Sequence, residues 1–180
     1  GNFILNSKSK VKFYPTKKFK YKCLVLDQHV KTSWYFKSIN PLINETNHKI
    51  FLNNVIKLSN KFPDILFVVK SKDEDWKDDK IYRPLFKKLN RMKNLRLFKN
   101  KKYIQNLDLL NSFDFALGKP TSILDDFLSY GKPIGVFDND HRTKYTIKYP
   151  NEIFTDDYFN LELKIEKILS DYDKIMNKLN

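Results

Sequence analysis

The chain has 180 residues, of which 41% are hydrophobic and 15% aromatic, a composition that is globular and excludes an intrinsically disordered chain. Its single cysteine, Cys23, excludes an intramolecular disulfide and fits a reducing, cytoplasmic compartment, and its longest apolar run, residues 65–69, is too short to span a bilayer. The net charge of +13 favours an anionic partner (nucleic acid, anionic lipid or a phosphorylated substrate), with an AT-rich coding sequence as the alternative explanation.

The first 20 residues are predicted to be a basic linker that leads into a single domain spanning residues 21–180. Seven lysines and no acid fall within the first 22 residues, with aromatic side chains between them. This segment supports one functional hypothesis, a non-catalytic module that binds nucleic acid or another anionic polymer with a steep dependence on salt. It lacks an RNA-recognition signature, so nucleic acid is the less favoured partner.

Strands and helices are predicted to alternate along the domain. The strands are short apolar runs bounded by turn residues, at residues 21–27, 65–70, 95–98, 113–117 and 134–137. The helices repeat apolar residues at helical spacing, at residues 44–60, 82–89 and 104–110, after residue 121, and from Leu161 onward. In the first helix, Asn44 is the predicted cap, and Ile50, Phe51, Val55 and Leu58 form the predicted apolar face. The charged segment 73–80 is expected to be exposed.

This alternation predicts an α/β fold with a doubly wound, mostly parallel, Rossmann-like sheet, because right-handed crossovers join parallel strands through helices. The second strand is apolar without interruption up to Lys70, as expected for a strand that is buried on both faces. Ligands of such folds bind beyond the carboxyl ends of the strands, near the point where the strand order reverses. The candidate loops are those after Asp27, Lys70, Phe98, Leu117 and Phe137.

Residues 113–138 carry the strongest functional signal. An apolar strand leads into the turn Gly118-Lys119-Pro120, and two hydroxyl residues, Thr121 and Ser122, follow where a helix begins. A helix N-terminus with hydroxyl groups favours an anion, and ordinary N-capping by either residue is the compatible alternative. Lys119 and Lys70 are candidate phosphate contacts, with exposed turn or strand-end lysines as the alternative. Gly118 is assigned mainly to a turn that requires unusual dihedral angles.

The predicted helix carries two adjacent acids and ends at Gly131. Asp125 and Asp126 lie about 100° apart around a helix, so one of them is expected to face the ligand. Asp126 is the candidate for accepting hydrogen bonds from ribose hydroxyls, as acids do in other nucleotide-binding folds. A solvated acid that favours the helix dipole is the alternative.

This segment resembles the C-terminal, donor-binding half of glycosyltransferases with the GT-B fold, in which an acid precedes a Gly-x-Pro sequence. Asp126 lies seven residues before Pro133, at the matching place. The resemblance is closer to CDP-glycerol glycerophosphotransferases and related capsule-polysaccharide enzymes. The matching segments are Thr121-Ser122, Asp126-Phe127 and Lys132-Pro133-Ile134. Ser71 and Lys72 follow Lys70 where that branch has His-Pro.

The resemblance implies a nucleotide-diphosphate-activated sugar or alditol donor, used in surface polysaccharide biosynthesis. It implies metal-independent transfer in a cleft between two domains, so the chain alone would be an incomplete transferase domain. The acceptor site and the catalytic base would lie in a missing N-terminal domain. The location implied is cytoplasmic, with a peripheral contact at the inner face of the membrane. The donor-binding residues are then Thr121, Ser122, Asp126, Lys70, Gly118 and Lys119.

The three histidines give weaker signals. His29 follows the first strand and is the one candidate for an acid or base, with a polar loop residue as the alternative. His48 lies inside the first helix and is expected at its surface. His141 lies in the cluster 138–142, which suits a metal or substrate contact or local turn hydrogen bonds. The sequence has no zinc pattern, no P-loop and no Gly-x-Gly-x-x-Gly motif.

Overall fold

A computed structural model describes residues 18–27, 45–71, 75–98, 106–119, 121–137, 154–155 and 157–179. Six strands form one sheet in the order β3-β2-β1-β4-β5-β6, and every neighbouring pair is parallel. Their bounds are β1 (Tyr21–Leu26), β2 (Ile65–Lys70), β3 (Leu95–Leu97), β4 (Phe115–Gly118), β5 (Ile134–Phe137) and β6 (Phe154–Thr155). This strand order confirms the predicted α/β, doubly wound, Rossmann-like fold.

The predicted helices are present, with shifted ends. They are α1 (Glu45–Lys61), α2 (Arg83–Arg91), α3 (Asn106–Ser112), α4 (Ser122–Ser129) and α5 (Tyr158–Leu179). Helix α2 begins with Pro84 in its first turn, a position where the missing N–H of proline costs no helical hydrogen bond. The short strand β6 was not predicted, because two residues carry no periodic pattern.

Both faces of the sheet are covered by helices, which explains why the strands are apolar throughout. On one face, alternate residues such as Cys23, Val25 and Phe67 pack with side chains of α1, α2 and α5. On the other face, Leu24 and Leu26 pack with side chains of α3 and α4. Successive residues of a strand therefore point to opposite layers. This alternation determines which layer each residue at a strand end faces.

The expectation that residues 73–80 are exposed is wrong at Trp76. Trp76 is 0% exposed and lies in a 3-10 turn, Asp75–Lys77, between charged neighbours. Its indole N–H donates to Ser71 Oγ at 3.3 Å. The large apolar surface of the indole ring outweighs the charge of its neighbours, since burying an aromatic side chain is worth several times an exposed lysine or aspartate contact.

Helix α4 ends at Ser129, and the predicted stop residue, Gly131, lies just beyond its C-cap in a Schellman motif. Gly131 has φ 69°, and its N–H donates to Leu128 O at 2.9 Å while Lys132 N–H donates to Phe127 O at 2.9 Å. The motif turns the Lys132 side chain inward, where Nζ donates to Phe113 O at 2.5 Å and also to Leu110 O. Lys132 thereby ties the end of α3 to the segment that carries the candidate site.

Candidate functional site

The strand order predicts a ligand site between β1 and β4. This is the topological switch point, where successive strands stop adding on one side of β1 and begin adding on the other. Strands β1 and β4 approach closely at Gly118, which pairs with Leu26. A Cβ on Gly118 would lie 2.4 Å from Leu26 O, so no side chain fits there. The predicted reason for this glycine, an unusual dihedral angle, is wrong. Among the glycines of the described residues, the positive φ belongs to Gly131.

The N-terminus of α4 follows β4 directly at this edge. Thr121 is the N-cap, with φ −151° and ψ 154°, and its Oγ1 accepts a hydrogen bond from Ile123 N at 3.1 Å. The capping alternative is therefore confirmed for Thr121. Ser122 is exposed at the first helical position. Ser122 and the first-turn N–H groups lie at the helix N-terminus, where the helix dipole favours an anion.

Asp126 lies in the second turn of α4, and its Oδ2 accepts a hydrogen bond from Asn106 Nδ2 at 2.8 Å. The contact joins α4 to the first residue of α3. Burial, and then the neighbouring charge of Asp126, raise the pKa of Asp125 above its usual value. Which of the two acids faces a ligand stays a prediction. The contact of Asp126 with a ribose stays a prediction.

The two candidate lysines lie on opposite faces of the sheet. Lys70 ends β2 and is half-buried, and strand alternation places it on the face of Leu66 and Val68, which is also the α4 face. Lys119 continues β4 on the opposite face. It is 4% exposed, so the exposed-turn alternative is wrong, and its Nζ lies 5.2 Å from the centroid of the Phe137 ring. Phosphate contacts by either lysine stay predictions.

A buried polar network lies beneath this edge on the α1 face, and sequence reasoning missed it. Its centre is Asp27, which is 3% exposed and follows β1. Asp27 Oδ2 accepts a hydrogen bond from Ser71 Oγ at 2.8 Å and lies 3.2 Å from His48 Nε2. His48 Nδ1 lies 3.0 Å from Tyr82 Oη. His48 is 4% exposed, so its predicted surface location is wrong.

The helical register of α1 explains the error at His48. The buried side of the helix contains His48, Phe51, Leu52 and Val55, whereas Ile50, which the sequence placed on that side, is 42% exposed. His48 thus occupies an apolar position at helical spacing. A polar side chain buried there requires hydrogen-bond partners, and Asp27 and Tyr82 supply them.

Proton counting assigns the donors in this network. Asp27 as a carboxylate only accepts, so His48 Nε2 carries a proton and donates to it. Tyr82 Oη lies 3.0 Å from His48 Nδ1 and donates at 3.4 Å to the carbonyl oxygen of Glu45, so two acceptors lie within reach of its single proton. Burial, with the nearby carboxylates of Glu45, Asp79 and Asp27, raises the pKa of Tyr82, which keeps the phenol protonated as a donor. The Trp76 indole donates to Ser71, which in turn donates to Asp27.

Several predicted features lie outside the described residues: His29, the cluster 138–142 with His141, and residues 1–17 of the basic segment. Within the described ranges, no three His, Cys, Asp or Glu side chains converge on a point where they could hold a metal ion. No helix in the described part of the chain is both long and apolar enough to cross a membrane.

No protein-family model matches the sequence, and no curated protein matches it. Solved structures match its fold. One is UDP-GlcNAc 2-epimerase from Neisseria meningitidis bound to UDP-GlcNAc, with a TM-score of 0.55 and 16% identity over 83% of this chain and 37% of the epimerase. Another is a co-structure of S. aureus MnaA with UDP, with a TM-score of 0.55 and 14% identity over 85% of this chain and 38% of that protein.

The match extends the fold assignment from a general Rossmann-like sheet to a GT-B-like domain. The chain spans well under half the length of each of these structures. The fold and the strand order thus identify a GT-B-like domain. The GT-B resemblance is confirmed as far as the fold is concerned.

Proposed function

We propose that this chain is the donor-binding domain of a GT-B-fold enzyme that acts on a nucleotide-diphosphate-activated donor. The observation that carries the proposal is the placement of the α4 N-terminus, with Thr121 and Ser122, directly beyond β4 at the switch point of the sheet. Ligands of open α/β sheets bind at this point. The two fold neighbours are structures with bound UDP-GlcNAc and UDP, which supports the same ligand class.

In this proposal the diphosphate binds at the N-terminus of α4. Ser122 Oγ and the first-turn N–H groups donate to it, and the helix dipole stabilises the charge of the departing nucleotide. Gly118 brings the backbone of β4 against Leu26, so the phosphate can approach the strand ends. Lys70, on the α4 face, contributes a cation from β2. Asp126, held by Asn106, orients toward the ribose hydroxyls.

The reaction we infer is glycosyl or glycerophosphate transfer in surface polysaccharide biosynthesis, without a metal ion. Thr121-Ser122, Asp126-Phe127 and Lys132-Pro133-Ile134 support this choice through their resemblance to the CDP-glycerol and capsule enzymes. Lysines and helix dipoles are able to take over the charge stabilisation that a metal gives elsewhere. The acceptor site and, in large part, the catalytic machinery belong to a separate domain. If this chain supplies the base, His29 is its weak candidate.

A second candidate is epimerisation of a nucleotide sugar, because the named fold neighbour is a UDP-GlcNAc 2-epimerase. Both candidates require a nucleotide diphosphate on the same edge of the sheet. They differ in the base and in the group attached to the diphosphate, so binding data separate them.

The test is a thermal-shift and calorimetric screen of the chain against UDP, CDP, GDP, UDP-GlcNAc and CDP-glycerol. A ligand at a hundred times its Kd stabilises the fold by about 2.7 kcal/mol, which is readily measured as an increase in Tm. A preference for UDP-GlcNAc would favour the epimerase candidate, and a preference for CDP-glycerol the transferase. Absence of binding by every diphosphate would overturn the proposal.

The phosphate contact is tested by Thr121→Ala combined with Ser122→Ala. Loss of hydrogen bonds to a charged group predicts about a tenfold or greater loss of affinity. Ser129→Ala with Ser170→Ala is the matched control, since both hydroxyls are exposed away from this edge. Thr121→Ser retains the cap and should retain binding. Equal affinity of the double variant and the control would refute the phosphate site.

Asp126→Ala should weaken binding of nucleotides while leaving binding of inorganic pyrophosphate unchanged, because its proposed partner is the ribose. Asp125→Ala is the control at the neighbouring position, and it should bind nucleotides like the unmodified chain. If the two variants lose nucleotide affinity to the same extent, the ribose assignment is wrong.

A further inference from the structure

Helix α2 (Arg83–Arg91) exposes a face that is basic without any acid. Arg83, Lys87, Lys88 and Arg91 are all exposed, and we call these four residues the cationic face. Residues three and four apart lie on one side of a helix, and the opposite side contains the buried Leu85 and Leu89. The charge is also concentrated along the sequence, since residues 80–107 contain ten Lys and Arg and no acid.

The cationic face does not serve the stability of its own helix. Arg83 and Lys87, and likewise Lys87 and Arg91, are like-charge pairs at i,i+4, a spacing at which they repel each other. Arg83 is also the first residue of the helix, where the dipole disfavours a cation. Lys88 and Arg91, in the last turn, are the two that the dipole favours. If these four residues only stabilised the helix, acids would be expected at some of their positions.

Other helices of the described chain contain acids that pair with some of their lysines. In α1, Lys49 Nζ lies 2.6 Å from Glu45 Oε1, and Lys61 Nζ lies 3.2 Å from Glu162 Oε1 on α5. Among the described residues, none of the four side chains of the cationic face forms an ion pair. A general excess of lysine from base composition would affect all helices alike. The absence of acids on α2 is therefore a local feature.

We propose that the cationic face docks the domain on an anionic lipid surface. The four charges lie along one side of a rigid helix, which lets them reach a flat surface together, and each basic residue near such a surface adds to the binding. Pro84 is exposed on the same helix, and Ile81, just before it, is 45% exposed. These apolar groups suit the boundary of a membrane.

A lipid surface fits this face better than single-stranded nucleic acid does. Proteins that bind single strands combine basic grooves with exposed aromatic rings on which bases stack. The nearest aromatic side chains are turned inward: Tyr82 is 0% exposed, and Phe86 packs against the core. In the described part of this face no aromatic ring is available for stacking. The surface is convex rather than a groove, since it is one side of a single helix.

The experiment is flotation of the 180-residue chain with vesicles of phosphatidylcholine alone and of phosphatidylcholine mixed with phosphatidylglycerol. We expect binding to the mixed vesicles only, with loss of binding as salt is raised. Lys87→Gln, Lys88→Gln and Arg91→Gln in one variant remove three charges and retain helix propensity. At roughly fivefold per charge, the partition coefficient should fall by about a hundredfold.

The matched control is Lys57→Gln, Lys167→Gln and Lys174→Gln, which removes the same net charge from exposed positions on α1 and α5. It should retain most of the vesicle binding. An equal loss in both variants, or no loss in the α2 variant, would overturn the proposal. A third arm uses a single-stranded oligonucleotide: if the α2 variant loses only oligonucleotide binding, the face serves nucleic acid and the lipid assignment is wrong. Circular dichroism confirms that both variants are folded, and nucleotide binding should be unchanged in both.

Discussion

His48 Nε2 lies 3.2 Å from Asp27 Oδ2, and this contact joins the first turn of α1 to the residue that follows β1. Both side chains are buried, so their partners must replace the hydrogen bonds that water would provide. The pair thereby links α1 to the carboxyl edge of the sheet. The network of Asp27, His48, Ser71, Trp76 and Tyr82 is thus a support for the candidate site.

His48→Leu should destabilise the domain strongly, because it leaves the Asp27 carboxylate buried with one donor fewer. Removing one partner of a buried pair costs about 3–5 kcal/mol. Asp27→Asn removes the charge, so the double variant should lose less than the sum of the two single changes. Urea unfolding of all four proteins measures the coupling, which we expect to be about 0.5–3 kcal/mol. Additive losses would mean that the contact does not stabilise the fold.

Gly118→Ala should be far more damaging than Gly135→Ala. The new methyl group at position 118 would lie 2.4 Å from the backbone oxygen of Leu26, and strands β1 and β4 would have to separate. At position 135 the nearest atom, 2.7 Å away, is Leu117 Cδ2, the end of a side chain that is able to rotate. We expect a loss of about 1–3 kcal/mol or more at Gly118. Unfolding midpoints that are equal for the two variants would contradict this close approach.

The sequence predicts the sheet well because its signal is local. Continuous apolar runs identify β1, β2, β4 and β5, and their alternation with helices implies parallel strands. The helix stop at Gly131 was also predictable, because glycine readily adopts the positive φ that the Schellman motif requires. These features depend on neighbouring residues alone.

The buried polar residues were not predictable in the same way. His48 and Trp76 were assigned to the surface by their polar neighbours, yet both are buried through contacts with residues distant in sequence. One signal was present: His48 lies at helical spacing from Phe51, Leu52 and Val55. Lys119 likewise continues the alternation of β4, which places it in the layer of Leu117. The partners of such residues follow from the strand order, which a single sequence does not specify.

Lys132→Met should destabilise the domain by about 1–3 kcal/mol, because the carbonyl oxygens of Leu110 and Phe113 lose a buried donor. Burial lowers the pKa of Lys132, although the charge of Asp114 partly opposes this. The unfolded chain therefore binds more protons between the folded and unfolded pKa values. In that alkaline window the contribution of Lys132 to stability rises with pH, since its burial penalty is relieved as the ammonium deprotonates.

Urea unfolding at pH 7 and at about pH 10 tests this sign. The difference in unfolding free energy between the unmodified chain and Lys132→Met should grow at the higher pH. Lys93→Met, at an exposed turn position, is the control and should show little effect at either pH. A difference that shrinks toward alkaline pH would show that the ammonium is stabilised by its surroundings.

The labelling rate of the Cys23 thiol measures how often the central strand β1 becomes exposed. Cys23 is 0% exposed in β1, between β2 and β4, and burial raises the pKa of its thiol well above the usual value. Because the thiolate is the reactive form, an aromatic disulfide reagent at pH 8 should label it only as fast as the sheet opens. Ser129→Cys places a second thiol at an exposed position at the end of α4 and should react at once. If Cys23 reacts as quickly as that added thiol in native buffer, β1 is not the protected centre of the sheet. A nucleotide that binds beyond the ends of β1 and β4 should slow the labelling of Cys23 further, since it stabilises the closed sheet by mass action.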